Sequence, residues 1–216
     1  MTMPRLLLAL IIVAVAAATV HAYSLSAYRW PTQTVRYYVN PVSKYVSAAA
    51  AVSAVQTGAA IWKSQTRANI ELVYSGTTTG TALKLNYKNE VFFRNASSSG
   101  QVAKTYTYWN SKGQRIDSDI VFYEGSYKFF TVSGCSNGIY VENVVTHEFG
   151  HMLGLQHSGV KGATMASSMP SYCDRTWLTL ETDDRAGLEK AYPPLKAMRI
   201  LTEPGSHAGT GALTGQ

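Results

Sequence analysis

His147, Glu148, His151, Gly154 and His157 stand in one short stretch, Val141 to Ser158, reading VENVVTHEFGHMLGLQHS. On a helix, residues i and i+4 lie about 40° apart on one face, so the rings of His147 and His151 can converge on one metal ion. Gly154 can take a positive φ, end the helix and turn the chain so that His157 returns as a third ligand. Three imidazoles suit Zn²⁺ and leave a fourth position for water, the pattern of a catalytic rather than a structural zinc site. Glu148 falls beside the metal, where a carboxylate can act as general base on a zinc-activated water. Five fixed positions of this kind arise by chance in about one such chain in 10⁵. On the same helix Val141, Val145, Phe149 and Met152 form an apolar stripe directed away from the two histidines, towards a sheet.

The rest of the chain must supply that sheet. Thr34 to Asn40 is rich in β-branched and aromatic residues and reads as a strand, Ser47 to Gln65 as an amphipathic helix, and Ile70 to Tyr74 as a second strand. A helix between two strands suggests a parallel βαβ unit. Leu83 to Tyr87 and Val91 to Arg94 are further strand candidates, parted by Lys88-Asn89-Glu90. Thr105 to Trp109 and Ile116 to Tyr123 flank a turn containing Gly113, as a hairpin would. These elements make a mixed sheet with a helix across it.

Composition bounds the alternatives. The chain has 216 residues, 46% apolar and 15% charged, with two cysteines, which suits one cored domain and excludes both whole-chain disorder and a disulfide-dense mini-protein. Leu6 to Val20 is an apolar run of 15 residues after Arg5, followed by Val20-His21-Ala22. It is shorter than the roughly 20 residues of a membrane span and reads as a signal peptide over residues 1–22, leaving a domain over 23–195 and a Gly/Pro-containing tail over 196–216. The expected product is secreted and extracellular, without a membrane attachment once the signal is cleaved. Cleavage removes Arg5 and lowers the net charge from +6 to +5. The lysines and arginines are scattered without a stripe, so nucleic acid is not an expected partner.

The HExxHxxGxxH stretch resembles the zinc-binding consensus of metzincin metallopeptidases, and Ser158 after the third histidine makes it similar to the matrixin branch. Met165 in Gly162-Ala-Thr-Met165 matches the family's Met-turn, a packing support below the zinc, and Asp183-Asp184-x-x-Gly187-Leu188-x-x-x-Tyr192 resembles its final helix. In the family such an aspartate ties that helix to the Met-turn. The resemblance implies an α/β (α+β) fold, a twisted mixed five-stranded sheet with about three helices. The zinc cleft lies between an upper sheet subdomain and a lower subdomain of Met-turn and C-terminal helix. It also implies a monomeric endopeptidase whose protein or peptide substrates bind as an extended strand, here along Val102 to Trp109. The pocket behind the zinc would be walled by Ala166 to Tyr172.

The sequence departs from animal matrixins in lacking a cysteine switch, because Cys135 and Cys173 are its only cysteines and in an exported chain are expected to pair. Of five histidines, His21 lies in the signal and His207 in the tail, leaving no second His-built zinc site. Calcium remains open, with no ligand assigned. The competing expectation is an exported zinc-containing binding or adhesion module of the same fold without turnover; the intact Glu148 and three histidines favour the enzyme.

Overall fold

The structure, a computed structural model, describes residues 22–195 apart from Ser133 and Pro170. The expected signal residues 1–21 and tail 196–216 lie outside the described residues. The first βαβ unit forms as its sequence pattern requires. Strand β1 (Thr34–Val39) leads to helix α1 (Ala48–Gln65), which returns the chain to β2 (Glu71–Thr77), and β1 and β2 pair in parallel. Ser47 caps α1 by accepting from the Ala50 amide at 3.3 Å, and the helix buries Ala51, Val55, Ala59 and Trp62 along one side.

Strands β3 (Asn89–Arg94), β4 (Ala103–Trp109) and β5 (Arg115–Tyr123) complete a sheet of order β2-β1-β3-β5-β4. All pairings are parallel except that of β4, which runs antiparallel to β5 and forms one edge. The short β6 (Phe129–Phe130) and β7 (Ile139–Tyr140) pair beside it and deliver the chain into helix α2 (Val141–Leu153). The expected apolar stripe is fully formed, with Val141, Val145, Phe149 and Met152 each at 0% exposure. Phe149 meets Tyr37 of the sheet edge-on at 5.0 Å. Helix α3 (Thr182–Ala191) closes the domain, and a capping box between Glu181 and Asp184 fixes its start.

One strand expectation fails. Leu83 to Tyr87 has strand-like composition, yet it forms a loop before β3. Its amides are drawn to two buried carboxylates of β5. Asn86 and Tyr87 donate to Asp117 Oδ2 at 2.6 and 2.7 Å, and Lys84 donates to Asp119 Oδ2 at 3.4 Å. With those donors committed to side chains and Tyr87 at φ 61°, no ladder can continue through the segment. Asp119 and Asp117 are themselves fully buried. Burial, opposed by the Glu90 and Lys84 amides, pushes Asp119 up to about 7.

Among the described residues no helix is long and apolar enough to cross a membrane.

Candidate metal centre

Helix α2 presents His147 and His151 on one side, and Gly154 ends it in the left-handed region at φ 107°. Its amide and that of Leu155 close back on His151 O and Gly150 O at 3.0 and 2.9 Å. That reversal carries the chain to His157. Each residue of the triad offers one ring nitrogen, and these atoms lie within 4.8 Å of one another.

The imidazoles are oriented by backbone carbonyls. His147 Nδ1 donates to Thr164 O at 2.6 Å and His151 Nδ1 to Leu155 O at 2.9 Å. A proton on Nδ1 leaves the Nε2 lone pair of each ring for a metal. His151 Nε2 and His157 Nε2 stand 3.3 Å apart. Two nitrogens bound tetrahedrally to one Zn²⁺ would be separated by about 3.4 Å, so this pair already stands at the spacing of zinc ligands, and three imidazole donors suit that ion. Burial, with the neighbouring His151, pushes His147 down to about 3, and burial also lowers His151 and His157. Neutral rings are the form that can ligate. Trp177 stacks on His147 with centroids 4.6 Å apart and fixes its plane from the other side.

Glu148 lies next to this cluster at 6% exposure. Burial raises its carboxyl to about 7, against the opposing influence of Thr105 and His157. Thr105 of β4 donates its hydroxyl to Glu148 Oε2 at 2.6 Å. A cleft of about 660 Å³ runs past both groups, bordered by β4 residues Lys104 and Thr105 on one side and by Ser167, Met169 and Trp177 on the other. This is the cleft between sheet and lower segment, and the Ala166 to Tyr172 wall contributes Ser167 and Met169 to it.

Met165 follows Thr164, whose carbonyl orients His147, and is 1% exposed. The chain after His157 is stitched to it, since the Ser158 amide donates to Met165 O at 2.7 Å. Ser158 Oγ in turn donates to Asp183 at 2.6 Å, and Asp183 also accepts from the Ala22 and Tyr23 amides at 2.7 and 3.0 Å. Asp184 takes the Thr164 and Met165 amides at 2.8 and 3.0 Å. Both aspartates therefore have structural partners.

The motif's unassigned glycine also acquires a reason. A Cβ on Gly150 would stand 2.2 Å from Met165 Sδ and 2.8 Å from Trp62 Cζ2, so the sulfur packs against bare backbone one residue before His151. Gly150→Ala is expected to destabilise the fold by about 1–3 kcal/mol through overpacking, despite the better helix propensity of alanine. Thermal unfolding checks this, with a drop in midpoint as the expected result.

Cys135 and Cys173 form a disulfide. The Cys173 amide donates to Gly138 O at 2.9 Å, and Arg175 pairs with buried Glu142 at the start of α2 at 3.3 Å. The disulfide and the ion pair anchor the chain immediately before Trp177, the residue that backs His147.

A mixed sheet with one antiparallel edge, a His-bearing helix ended by glycine, and a buried Met165 packed on that helix at Gly150 define a metzincin-like fold. The matrixin peptidase family profile matches residues 29–193, and the chain belongs to that family. It is 47% identical over 49 residues to stromelysin-3 of Xenopus laevis, covering 23% of this chain and 10% of that protein. It is 38% identical over 79 residues to stromelysin-3 of Mus musculus, covering 36% and 15%. It is 42% identical over 60 residues to Metalloendoproteinase 1-MMP of Arabidopsis thaliana, covering 28% and 16%. The chain thus spans well under a fifth of the length of these relatives. Membership of the family supports a metalloprotease and implies zinc and peptide substrates.

Proposed function

We propose that this protein is a secreted zinc endopeptidase, cleaved after Ala22, that hydrolyses peptide bonds of extracellular proteins or peptides. The observation that carries the reading is the convergence of His147, His151 and His157 beside a buried Glu148 carboxylate. The three Nε2 atoms would hold the ion, and Met165 would support them from below.

Zinc, when bound, supplies Lewis-acid polarisation of the scissile carbonyl and of the attacking water. Glu148 removes the proton from that water as it attacks and delivers it to the departing amine. Its raised affinity for a proton suits both halves of this transfer, because a base that is too weak could not accept and an acid that is too strong could not hold. Substrate lies as an added strand on the free edge of β4, whose other edge is taken by β5. Val144, Met169 and Trp177 line the adjoining part of the cleft and receive a side chain there.

The test is hydrolysis of unfolded casein by purified protein expressed from the full sequence, with metal content measured on the same sample. One zinc per chain is expected, with cleavage abolished by a chelator and recovered on adding zinc. A folded protein that holds one zinc and cleaves neither casein nor a broad peptide library would overturn the reading in favour of an exported binding module.

A further inference from the structure

On α2 the carboxylate of Glu148 is held differently from the two histidines beside it. Both α2 histidines donate Nδ1 to a carbonyl, whereas the Glu148 carboxylate is held by Thr105, whose hydroxyl donates to Oε2 and outweighs the weaker influence of its backbone amide. That hydroxyl also approaches Glu148 O at 3.1 Å. A hydroxyl carries one proton, and the 2.6 Å contact to Oε2 is the charge-assisted and shorter of the two. Thr105 sits in the middle of the edge strand β4, opposite Ile120 of β5. Its main chain is therefore held by the sheet while its side chain reaches across the cleft floor to α2.

We propose that Thr105 is a positioning residue, whose hydroxyl pins Glu148 Oε2 and thereby keeps Oε1 directed at the reacting water. The inference rests on the peptidase reading for its catalytic consequence and on the geometry alone for the pinning. A carboxylate on two free torsions samples several orientations, and about 1 Å of misplacement in a reacting group can cost as much as a hundredfold in rate. Thr105 also lies on the strand proposed to receive substrate. The strand that aligns the peptide thus also aligns the base, and the distance between them is set within one element.

The test compares Thr105→Val and Thr105→Ser with the wild type. Valine keeps the shape and the strand propensity of threonine and removes the donor, whereas serine keeps the donor. In zinc-loaded protein Thr105→Val is expected to lower kcat by about 10- to 100-fold with KM changed by less than about twofold and zinc content unchanged, and Thr105→Ser to recover most of the loss. The second readout needs no activity. In zinc-free protein labelled with a carbon isotope at the glutamate carboxyls, the resonance missing from Glu148→Gln identifies Glu148. That resonance is expected to move in Thr105→Val and to stay near its wild-type position in Thr105→Ser. Thr105→Ala provides a second donor-free variant if the valine protein does not fold.

The proposal is overturned if valine matches the wild type in kcat, if valine and serine are equally impaired, or if the resonance is the same in all three proteins. A wild type that cleaves nothing, together with a resonance that still moves in Thr105→Val, removes the peptidase reading and upholds the pinning.

Discussion

Glu148→Gln is expected to lower kcat by about 10³-fold while the protein still binds one zinc and unfolds at a near-native temperature. Glutamine occupies almost the same volume and can still accept from the Thr105 hydroxyl, which contacts Oε2 at 2.6 Å in the wild type. It cannot accept a proton at working pH, and positioned general bases contribute about 10²–10⁴-fold. The three histidines are untouched, so zinc content separates loss of the base from loss of the metal. The same residue sets the acid side of the pH profile. Burial lifts the Glu148 carboxyl from 4.5 to about 7 in the metal-free centre, and a bound cation would draw it back down. Activity requires the ionised form, so kcat/KM falls as pH drops through that interval and Glu148 takes up a proton. A profile that stays flat from pH 7 down to below 4 would contradict the assignment of Glu148 as the base.

Chemistry that rests on local geometry is the part of the site most legible in the sequence. Helical spacing relates His147 to His151, and Gly154 permits the turn to His157, so that part of the site is legible from consecutive residues. Met165 and the aspartates of α3 followed from a resemblance to a family pattern of fixed offsets. What the sequence did not disclose is contact across the fold. Thr105 reaches Glu148 from 43 positions away, and Trp177 stacks on His147 from a segment without a regular pattern of its own. No periodicity links such residues, because their approach is set by how β4 and the chain after the disulfide pack on α2. The loop at Leu83 to Tyr87 failed as a strand for the same reason. Local propensity favoured extension, but Asp117 and Asp119, some thirty residues later, claimed the amides that a ladder would have used. Gly150 belongs with the contacts across the fold, since it fills an unspecified position of the motif and only the packed Met165 sulfur gives it a reason.

Asp184→Ala is expected to destabilise the protein by about 3–5 kcal/mol and to weaken zinc retention, although Asp184 touches none of the three histidines. Its carboxylate accepts the Thr164, Met165 and Glu181 amides at 2.8, 3.0 and 2.9 Å, and its own exposure is 0%. Alanine leaves two buried donors, the Thr164 and Met165 amides, without a partner, each worth about 1–3 kcal/mol, and releases the part-buried Glu181 amide at the start of α3. Burial raises the Asp184 carboxyl above the ordinary aspartate range against the pull of those amides. Removing the buried acid therefore recovers part of the loss and keeps the total below the upper sum for the orphaned donors. The effect on the metal follows from the chain at Thr164. Thr164 N is held by Asp184, and Thr164 O accepts from His147 Nδ1 at 2.6 Å. A Thr164–Met165 segment released from α3 frees that carbonyl and with it the ring orientation of His147. Loss of an outer partner of this kind typically costs 10- to 100-fold in metal affinity. Denaturant unfolding of the zinc-free protein measures the first effect and competition with a zinc chelator the second. A variant destabilised in the unfolding experiment yet unchanged in zinc affinity would show that His147 is oriented by Trp177 alone.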